Sequence, residues 1–221
     1  KGCPVSFDGS MYANDETSQF LNPAFVNNPT IPFPDNGLGI IAYWNPVEWW
    51  YLAAGAADAQ SDVRETGFRT ALHKEDYFVY MAETGVVTEM EGCNGKLPGG
   101  YRIGMWYDPQ PKVVSSEEDV KTRRDDAGFY VTCDQMILKE TNDENCDQGM
   151  GLFGRYGYAP SNANDLTQFW SFGAQYKGLL EGRDQDVMGF AFGQGFFSDK
   201  AAGRFTSDCE SATELYYNIQ L

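Results

Sequence analysis

Hydrophobic and polar positions alternate with a period of two along much of the chain, most regularly between residues 149 and 197. In the first run of this region, Leu152 and Tyr156 share one parity, while Arg155 and several glycines occupy the other. A period of two predicts β-strands, and an apolar face opposite a small or polar face is typical of strands that cross a membrane. Each run is about ten residues long, which is the length that a tilted transmembrane strand needs.

The same alternation predicts nine strands joined in an antiparallel meander. The connections between them are unevenly short and long, as in outer-membrane barrels, whose short turns face the periplasm. We therefore expect an all-β fold, an antiparallel up-and-down transmembrane β-barrel. The predicted strands are residues 38–44, 48–58, 76–87, 101–108, 128–138, 149–159, 168–178, 186–197 and 213–221.

Two stretches lack the alternating pattern. Residues 1–36 are predicted to be largely loop, because Pro29, Pro32 and Pro34 exclude a central strand there. Within that loop, residues 19–23 either fold inward as a constriction or stay exposed. The charged residues 109–126 are expected to form a long loop with a helical turn that starts at a serine.

Aromatic residues crowd around the predicted turn at Asn45 and Pro46. Trp44, Trp49 and Trp50 lie at strand ends there, which is where a barrel places its interfacial aromatic girdle. An ordinary aromatic core cluster is the alternative. The high aromatic share of 15% and the 24 glycines suit barrel strands better than a soluble helical protein.

Charge and hydropathy exclude several classes of protein. The chain has 16 basic and 32 acidic side chains, which argues against a nucleic-acid partner because phosphates require Lys and Arg. Solvated loops account for the acidity. No run approaches the ~18 apolar residues of a transmembrane helix, and no signal peptide opens the chain. Lys1 therefore begins either a processed chain or an interior piece of a longer one.

An enzymatic site has little support in the sequence. His73 is the only imidazole, and no Gly-x-Ser-x-Gly elbow accompanies it. The five cysteines include no Cys-x-x-Cys pair, so no zinc site and no cofactor are expected. Paired carboxylates stay open as an alternative, since acids are plentiful.

Charged and amide residues on the polar parity of the strands are the candidate lumen residues. A lysine or arginine that faces lipid at mid-membrane costs about 2–4 kcal/mol, so these side chains are predicted to face the lumen. They either contact a solute or only pair with one another. The candidates for substrate binding are Glu83, Arg102, Arg155, Gln175, Lys177 and Glu214.

Several short motifs resemble one known family, the carbohydrate-selective porins of Gram-negative outer membranes, the OprB type. The resemblance covers nearly the whole chain. It is strongest in Gly-Leu-Phe-Gly-Arg-Tyr-Gly-Tyr at 151–158, in Phe-Gly-Ala-Gln-Tyr at 172–176 and in Glu-Leu-Tyr-Tyr-Asn-Ile at 214–219. Each motif alone is weak, and their combination is specific.

The resemblance implies passive, carbohydrate-selective diffusion of small solutes through the water-filled lumen of a barrel with about sixteen strands. Nine strands do not close such a barrel, so residues 1–221 are expected to be one porin domain that is incomplete at both ends. The implied partners are outer-membrane lipid and small carbohydrates, and the chain is expected to act as a channel and not as an enzyme. Whether it is a monomer or a homo-oligomer stays open.

Two other functions remain as alternatives to a porin. One is a soluble or envelope-anchored sugar-binding β protein, although an aromatic face opposite a polar or glycine face is inverted for a soluble sandwich. The other is a structural outer-membrane barrel without selective transport.

The cysteines are not explained by the family. The periplasm is oxidising, and strand parity puts Cys93 and Cys146 in turns at the same rim. Cys209 falls at the opposite rim, and Cys133 lies within a strand. A disulfide between Cys93 and Cys146 is therefore one prediction, and free thiols or pairing with cysteines of missing segments are the alternatives.

Overall fold

A computed structural model describes residues 7–34, 38–60, 76–116, 119–143, 146–199 and 205–220. Within residues 114–116 and 119–121 it describes the backbone only. Cys3 and His73 lie outside these ranges. The described chain is nearly all β, with one short helix, and none of its helices is long and apolar enough to cross a membrane. The elements are α1 (Pro23–Val26), β1 (Gly39–Val47), β2 (Trp50–Asp58), β3 (Phe78–Gly92), β4 (Gly95–Asp108), β5 (Lys112–Ser116), β6 (Asp119–Arg123), β7 (Asp126–Lys139), β8 (Gly149–Tyr158), β9 (Leu166–Lys177), β10 (Val187–Phe197) and β11 (Cys209–Asn218).

Nine of these strands form one sheet in the order β1-β2-β3-β4-β7-β8-β9-β10-β11. Every neighbouring pair is antiparallel, which confirms the predicted meander. Strands β1 and β11 are the two edges of the sheet, and the described strands do not close it into a barrel.

The strand registers explain the alternation seen in the sequence. Leu152 lies opposite Ala174, and Tyr156 lies opposite Trp170, so the apolar parities of β8 and β9 share one face. Arg155 lies opposite Ser171 on the other face. The pattern continues through β10 and β11, so that the residues predicted to point outward share one face: Leu152, Tyr156, Trp170, Phe172, Tyr176, Leu215 and Tyr217.

Residues 7–34, here called the N-terminal segment, cover the opposite face of the sheet. We call the covered face the inner face and the aromatic one the outer face. Within the segment, Asn22 caps α1, because its Oδ1 accepts from the Ala24 N–H, and Pro23 supplies a fixed φ at the first helical position. Phe20 packs between Phe153 and Tyr216, with ring centroids 5.5 and 4.9 Å away.

The structure corrects the boundaries of two predicted loops. The described residues of 109–126 form the hairpin β5–β6 instead of the expected helical turn, because Val113 pairs with Thr122 and Ser115 with Val120 in a regular ladder. Residues 89–99 are mostly strand, since β3 and β4 continue as far as Gly92 and Gly95. Polar side chains at these strand ends hid the pattern, because both faces are solvated beyond the apolar band.

One rim of the sheet carries the β1–β2, β3–β4, β7–β8 and β9–β10 turns, and we call it the rim of short turns. The opposite rim carries the long β2–β3, β4–β7 and β10–β11 connections together with the shorter β8–β9 connection, residues 159–165. The β3–β4 and β7–β8 turns touch, because Asn94 Nδ2 donates to the carbonyls of Lys139 and Glu140 at 2.8 and 2.9 Å. Cys93 and Cys146 belong to these turns, but both are free thiols, so the predicted disulfide is not formed. Cys93 is exposed, and the Cys146 thiol donates instead to Gln148.

The β9–β10 turn on the same rim is held by one carboxylate. Arg183 donates to both oxygens of Asp186, at 2.6 and 2.8 Å, and the Tyr217 hydroxyl and the Gln220 N–H donate to them as well. These donors, Arg183 foremost, hold the pKa of Asp186 at about 2. The Asp186 carboxylate thus ties the start of β10 to the end of β11.

We predict that Asp186 makes the stability of this rim pH-dependent. Because the folded pKa lies below the usual value, the contribution is present above about pH 4 and is lost as the pH falls towards 2. Asp186→Asn should destabilise the protein at pH 7 and have a much smaller effect near pH 2. Denaturation of wild type and variant at both pH values measures this. Asp184→Asn, at an exposed position of the same turn, is the control and should change little at either pH.

Glycine at position 151 provides room for the N-terminal segment. A Cβ at Gly151 would overlap the ring of Tyr12, which packs directly on β8 there. At Gly154, on the outer face of the same strand, a Cβ would meet the Cys133 sulfur at 3.3 Å and the Ser171 carbonyl oxygen at 3.8 Å, without overlap.

We predict that Gly151→Ala displaces Tyr12 and destabilises the packed segment by about 1–3 kcal/mol, as other overpacking changes do. Limited proteolysis of residues 7–34 and chemical denaturation measure the effect. Gly154→Ala is the matched control. Equal protease resistance in both variants would show that Tyr12 does not depend on this close approach.

Candidate functional site

The inner face of β3, β4, β7 and β8 carries a group of buried charges beneath the N-terminal segment. Glu83, Arg102, Asp134 and Arg155 project from these strands, and Asp8 comes from the segment. Strand alternation places all four strand residues on the face opposite the lipid-type aromatics. We call these five residues the charge cluster.

Arg155 is the centre of the cluster. It is 3% exposed, and its Nε lies 3.3 Å from Asp8 Oδ2. Its terminal nitrogens donate to three main-chain carbonyls of the segment, those of Asp8 (2.9 Å), Ala13 (2.6 Å) and Phe25. One guanidinium therefore holds three separate points of the segment against β8.

Glu83 accepts hydrogen bonds from two strands and from the segment. The Tyr51 hydroxyl donates to its Oε1 at 2.6 Å, and the Tyr130 hydroxyl donates to its Oε2 at 2.7 Å. The main-chain N–H of Asp8 donates to the same Oε2 at 2.8 Å. A buried carboxylate with three donors is well compensated for its lost hydration.

Arg102 and Asp134 fix the start of the segment. Arg102 NH1 lies 2.6 Å from Asp134 Oδ2 and also donates to the Gly9 carbonyl. The Met11 N–H donates to the other oxygen of Asp134 at 3.2 Å. The Thr132 hydroxyl donates to the carboxylate of Asp8, so the carboxylate of the segment also has a hydrogen-bond partner on a strand.

Glu214 forms a separate anchor at the far edge of the sheet. Its two carboxylate oxygens accept from the N–H groups of Leu21 and Asn22 at 2.7 and 2.9 Å. Nearby, Asn218 Nδ2 donates to the Ser18 carbonyl at 3.1 Å. Residues 18–22, immediately before and at the cap of α1, therefore lie on β11.

The remaining two candidates lie nearer the rim of short turns. Gln175 Oε1 accepts from the Tyr216 hydroxyl at 3.3 Å. Lys177 Nζ lies 2.6 Å from the exposed Asp147 carboxylate, in the β7–β8 connection. Both are partly exposed, and their described partners, Tyr216 and Asp147, lie outside the segment, so they differ in environment from the four anchoring residues.

Sequence reasoning missed two of the five residues of the charge cluster, Asp134 and Asp8. Asp134 carries the same signal as Arg155, a charge in mid-strand, and could have been found by the same argument about the cost of facing lipid. Asp8 could not, because it lies in a segment without periodicity and pairs across 147 residues. Tyr51 and Tyr130 look like membrane aromatics in the sequence, and only the strand register shows that they face inward.

The cluster is suited to holding a segment in place and not to catalysis or metal binding. Its carboxylates are occupied by Arg, Tyr and main-chain donors. In the described part of the chain, no group of three or more His, Cys, Asp or Glu side chains is arranged to hold a metal ion. What the cluster creates is a polypeptide layer across the polar face of the sheet.

We predict that Arg155→Gln releases the N-terminal segment and destabilises the fold by about 3–5 kcal/mol, because Asp8 is then buried without its charge partner. Protease sensitivity within residues 7–34 and the denaturation midpoint measure this. Lys177→Gln, which removes an ion pair at the rim, is the control and should stay near wild type. An unchanged cleavage pattern in Arg155→Gln would contradict the anchoring role.

The fold has a counterpart among solved structures. The high-pH structure of Pseudomonas putida OprB aligns with a TM-score of 0.64 at 20% identity, over 81% of this chain and 49% of that chain. At this level of identity the likeness shows the fold. It confirms the predicted fold class, an antiparallel β-meander of the porin type.

Two curated porins are similar in sequence. Porin B of Pseudomonas aeruginosa is 22% identical over 249 residues, which include 99% of this chain and 53% of that protein. Porin AaxA of Chlamydia muridarum is 26% identical over 186 residues, 84% of this chain and 36% of that protein. The chain thus spans about half, or less, of the length of these relatives.

The family itself is identified by its sequence pattern. A sequence model described as "Carbohydrate-selective porin, OprB family" matches residues 4–221, which is nearly the whole chain. Porins of this kind are passive channels of the outer membrane and not enzymes. This confirms the resemblance drawn from the motifs at 151–158 and 214–219, and the chain belongs to the carbohydrate-selective porin, OprB family.

Proposed function

We propose that the complete protein containing this chain is an outer-membrane porin through which small carbohydrates diffuse passively. The observation that carries this proposal is the N-terminal segment, which the charge cluster holds against the polar inner face. A diffusion channel needs a polar, hydrated lumen and a narrow region that selects by size. Polar strand residues supply the lining, and the segment narrows the space that they surround.

The nine strands are proposed to be part of a larger closed barrel. Within the described sheet, the edge strands β1 and β11 each have a neighbouring strand on one side only, and a bilayer does not tolerate an open sheet edge. Further strands are needed to join these edges. Nine of about sixteen strands is a little over half, and the chain likewise spans 53% of Porin B and 49% of the solved OprB chain. Residues 1–221 are then one incomplete porin domain.

The six candidate residues divide into two roles. Glu83 and Arg155 are at most 4% exposed and position the segment, as do Arg102 and Glu214 through its main chain. Gln175 and Lys177 lie beside the segment on the inner face and are partly exposed. We assign contact with the passing sugar to these two, whose amide and ammonium groups replace water on its hydroxyls.

The outer face is proposed to contact lipid along its whole width. Phe172 and Leu215 are 50% and 64% exposed there, as are the rim tryptophans Trp44 and Trp49 at 63% and 59%. Apolar residues at mid-strand and aromatics at the rim match the band and girdle of a transmembrane barrel. Cross-linking in native membranes would determine whether the complete protein is a monomer or a homo-oligomer.

Conductance in planar bilayers, measured on the complete protein, tests the porin function. We expect open channels and liposome swelling with small sugars. Arg155→Ala should raise the swelling rate for larger sugars more than for small ones, because the segment no longer narrows the lumen.

Tyr156→Phe, on the outer face of the same strand, is the control and should keep the wild-type size dependence. Silent bilayers with well-folded protein would favour the structural barrel without transport. If wild type and Arg155→Ala both conduct and show the same dependence on sugar size, the porin function stands, but the segment does not constrict the lumen.

A further inference from the structure

The exposed side of the N-terminal segment carries negative charge. Residues 7–34 contain Asp8, Asp15 and Glu16 but no lysine, arginine or histidine. Asp8 is buried against Arg155, whereas Asp15 and Glu16 are exposed. Because the other side of the segment packs on the sheet, these two carboxylates face the space that the segment narrows.

The loop that carries the two carboxylates is fixed by its own hydrogen bonds. Gln19 Oε1 accepts from the main-chain N–H groups of Asn14 and Asp15, at 2.6 and 3.1 Å. The hydroxyls of Ser18 and Thr17 each donate to the Asp15 carboxylate at 2.6 Å. These donors, Ser18 foremost, hold the pKa of Asp15 at about 2, so Asp15 is ionised at neutral and mildly acidic pH. The negative charge of this loop therefore has a fixed position.

The strand charges beneath the segment do not offset these carboxylates. A guanidinium nitrogen of Arg102 lies 2.6 Å from Asp134 Oδ2, and Arg155 Nε lies 3.3 Å from Asp8 Oδ2, so each guanidinium already has a carboxylate partner. Two further strand carboxylates accept from uncharged donors, which are tyrosine hydroxyls and main-chain N–H groups. In the described chain, the segment and the strand charges that bind it comprise two guanidiniums and six carboxylates: Arg102, Arg155, Asp8, Asp15, Glu16, Glu83, Asp134 and Glu214.

At the rim of the long connections, the inner face holds an ammonium group of the chain itself. Lys112 Nζ lies 2.6 Å from Asp126 Oδ2 and 3.2 Å from Asp108 Oδ2. The ring centroid of Trp106 is 5.5 Å from this nitrogen, a distance at which an aromatic face attracts a cation. Asp126 is 4% exposed, and its other oxygen, Oδ1, is buried and accepts no hydrogen bond in the described chain. This entrance therefore suits an ammonium group, and one lysine does not neutralise its two carboxylates.

We propose that the lumen favours cationic solutes over anionic ones, so that sugars with a primary ammonium group pass more readily than sugar acids of similar size. A passage lined by carboxylates between walls of low dielectric constant concentrates cations and repels anions. The inference rests on the proposed porin function and adds the charge of the favoured solute. Part of the acidity of the chain then has a role in the lumen, beyond keeping the loops solvated.

The test measures ion selectivity and solute uptake with the complete protein. In planar bilayers under a KCl gradient, the reversal potential should have the sign of cation preference. Proteoliposomes at mildly acidic pH should take up glucosamine several-fold faster than gluconate, with glucose between them. The three solutes are close in size and differ in charge, so size selection does not produce this order.

Two sets of variants assign the preference to the residues described. Asp15→Asn with Glu16→Gln should lower the ratio of glucosamine to gluconate uptake several-fold and leave glucose uptake as in wild type. Glu181→Gln with Asp184→Asn removes the same number of charges at exposed positions of the β9–β10 turn, and this control should keep the wild-type ratio. Lys112→Gln should raise the ratio, because it removes a cation and leaves its carboxylate partners charged.

The glucose measurement separates this inference from the porin function. Glucose uptake by wild type without a charge preference would overturn the inference and leave the porin function standing. Equal ratios in the Asp15 and Glu16 variant and in its control would overturn it as well. If folded wild type takes up none of the three solutes, the porin function fails and the inference fails with it. Should the double variant not fold, the wild-type order of uptake and the Lys112→Gln ratio still decide the outcome.

Discussion

The buried contact between Arg155 and Asp8 is the interaction on which the inner half of the structure depends. Both side chains are almost fully removed from solvent, and each would be costly alone. The three main-chain carbonyls that Arg155 binds turn that contact into a fixed position for the whole segment. A guanidinium suits this task because its planar donors reach several acceptors at once, which an ammonium does not.

The outer half of the structure obeys a different constraint. Polar side chains do not stabilise a surface that contacts hydrocarbon. Because no water is available there, every main-chain donor and acceptor needs a hydrogen-bond partner within the sheet. The antiparallel ladders from β2 to β10 meet this requirement, and most side chains on their outer face are apolar or aromatic. The chain is thus inverted relative to a soluble sandwich, with its charges buried and its large apolar residues exposed.

Much of the sheet could be predicted from the sequence, because one face in lipid and one in a polar lumen impose a period of two. All nine strands of the sheet and their order followed from that period. The prediction failed where the constraint is absent: the β5–β6 hairpin and the ends of β3 and β4 have no apolar face to reveal them.

The candidate site was predictable only in part, for a related reason. The strand charges Glu83, Arg102, Arg155 and Glu214 could be assigned to the inner face because lipid excludes them. Their partners in the segment could not, since Asp8 and the main-chain carbonyls of the segment follow no pattern. Likewise, strand parity located Cys93 and Cys146 on one rim, but it does not fix the side-chain directions on which a disulfide depends.

The meander and the segment differ sharply in the sequence distance of their contacts, and this has a consequence for the order of folding. Each strand pairs with one that follows closely in the chain, so the sheet can grow hairpin by hairpin from β1. The segment precedes β1, yet Leu21 binds Glu214 across 193 residues and Ser18 binds Asn218 across 200. We therefore expect residues 7–34, which precede all nine strands, to settle only after β11 is in place. Until then the lumen side stays open to water, and the charges on its strands remain hydrated while the sheet assembles.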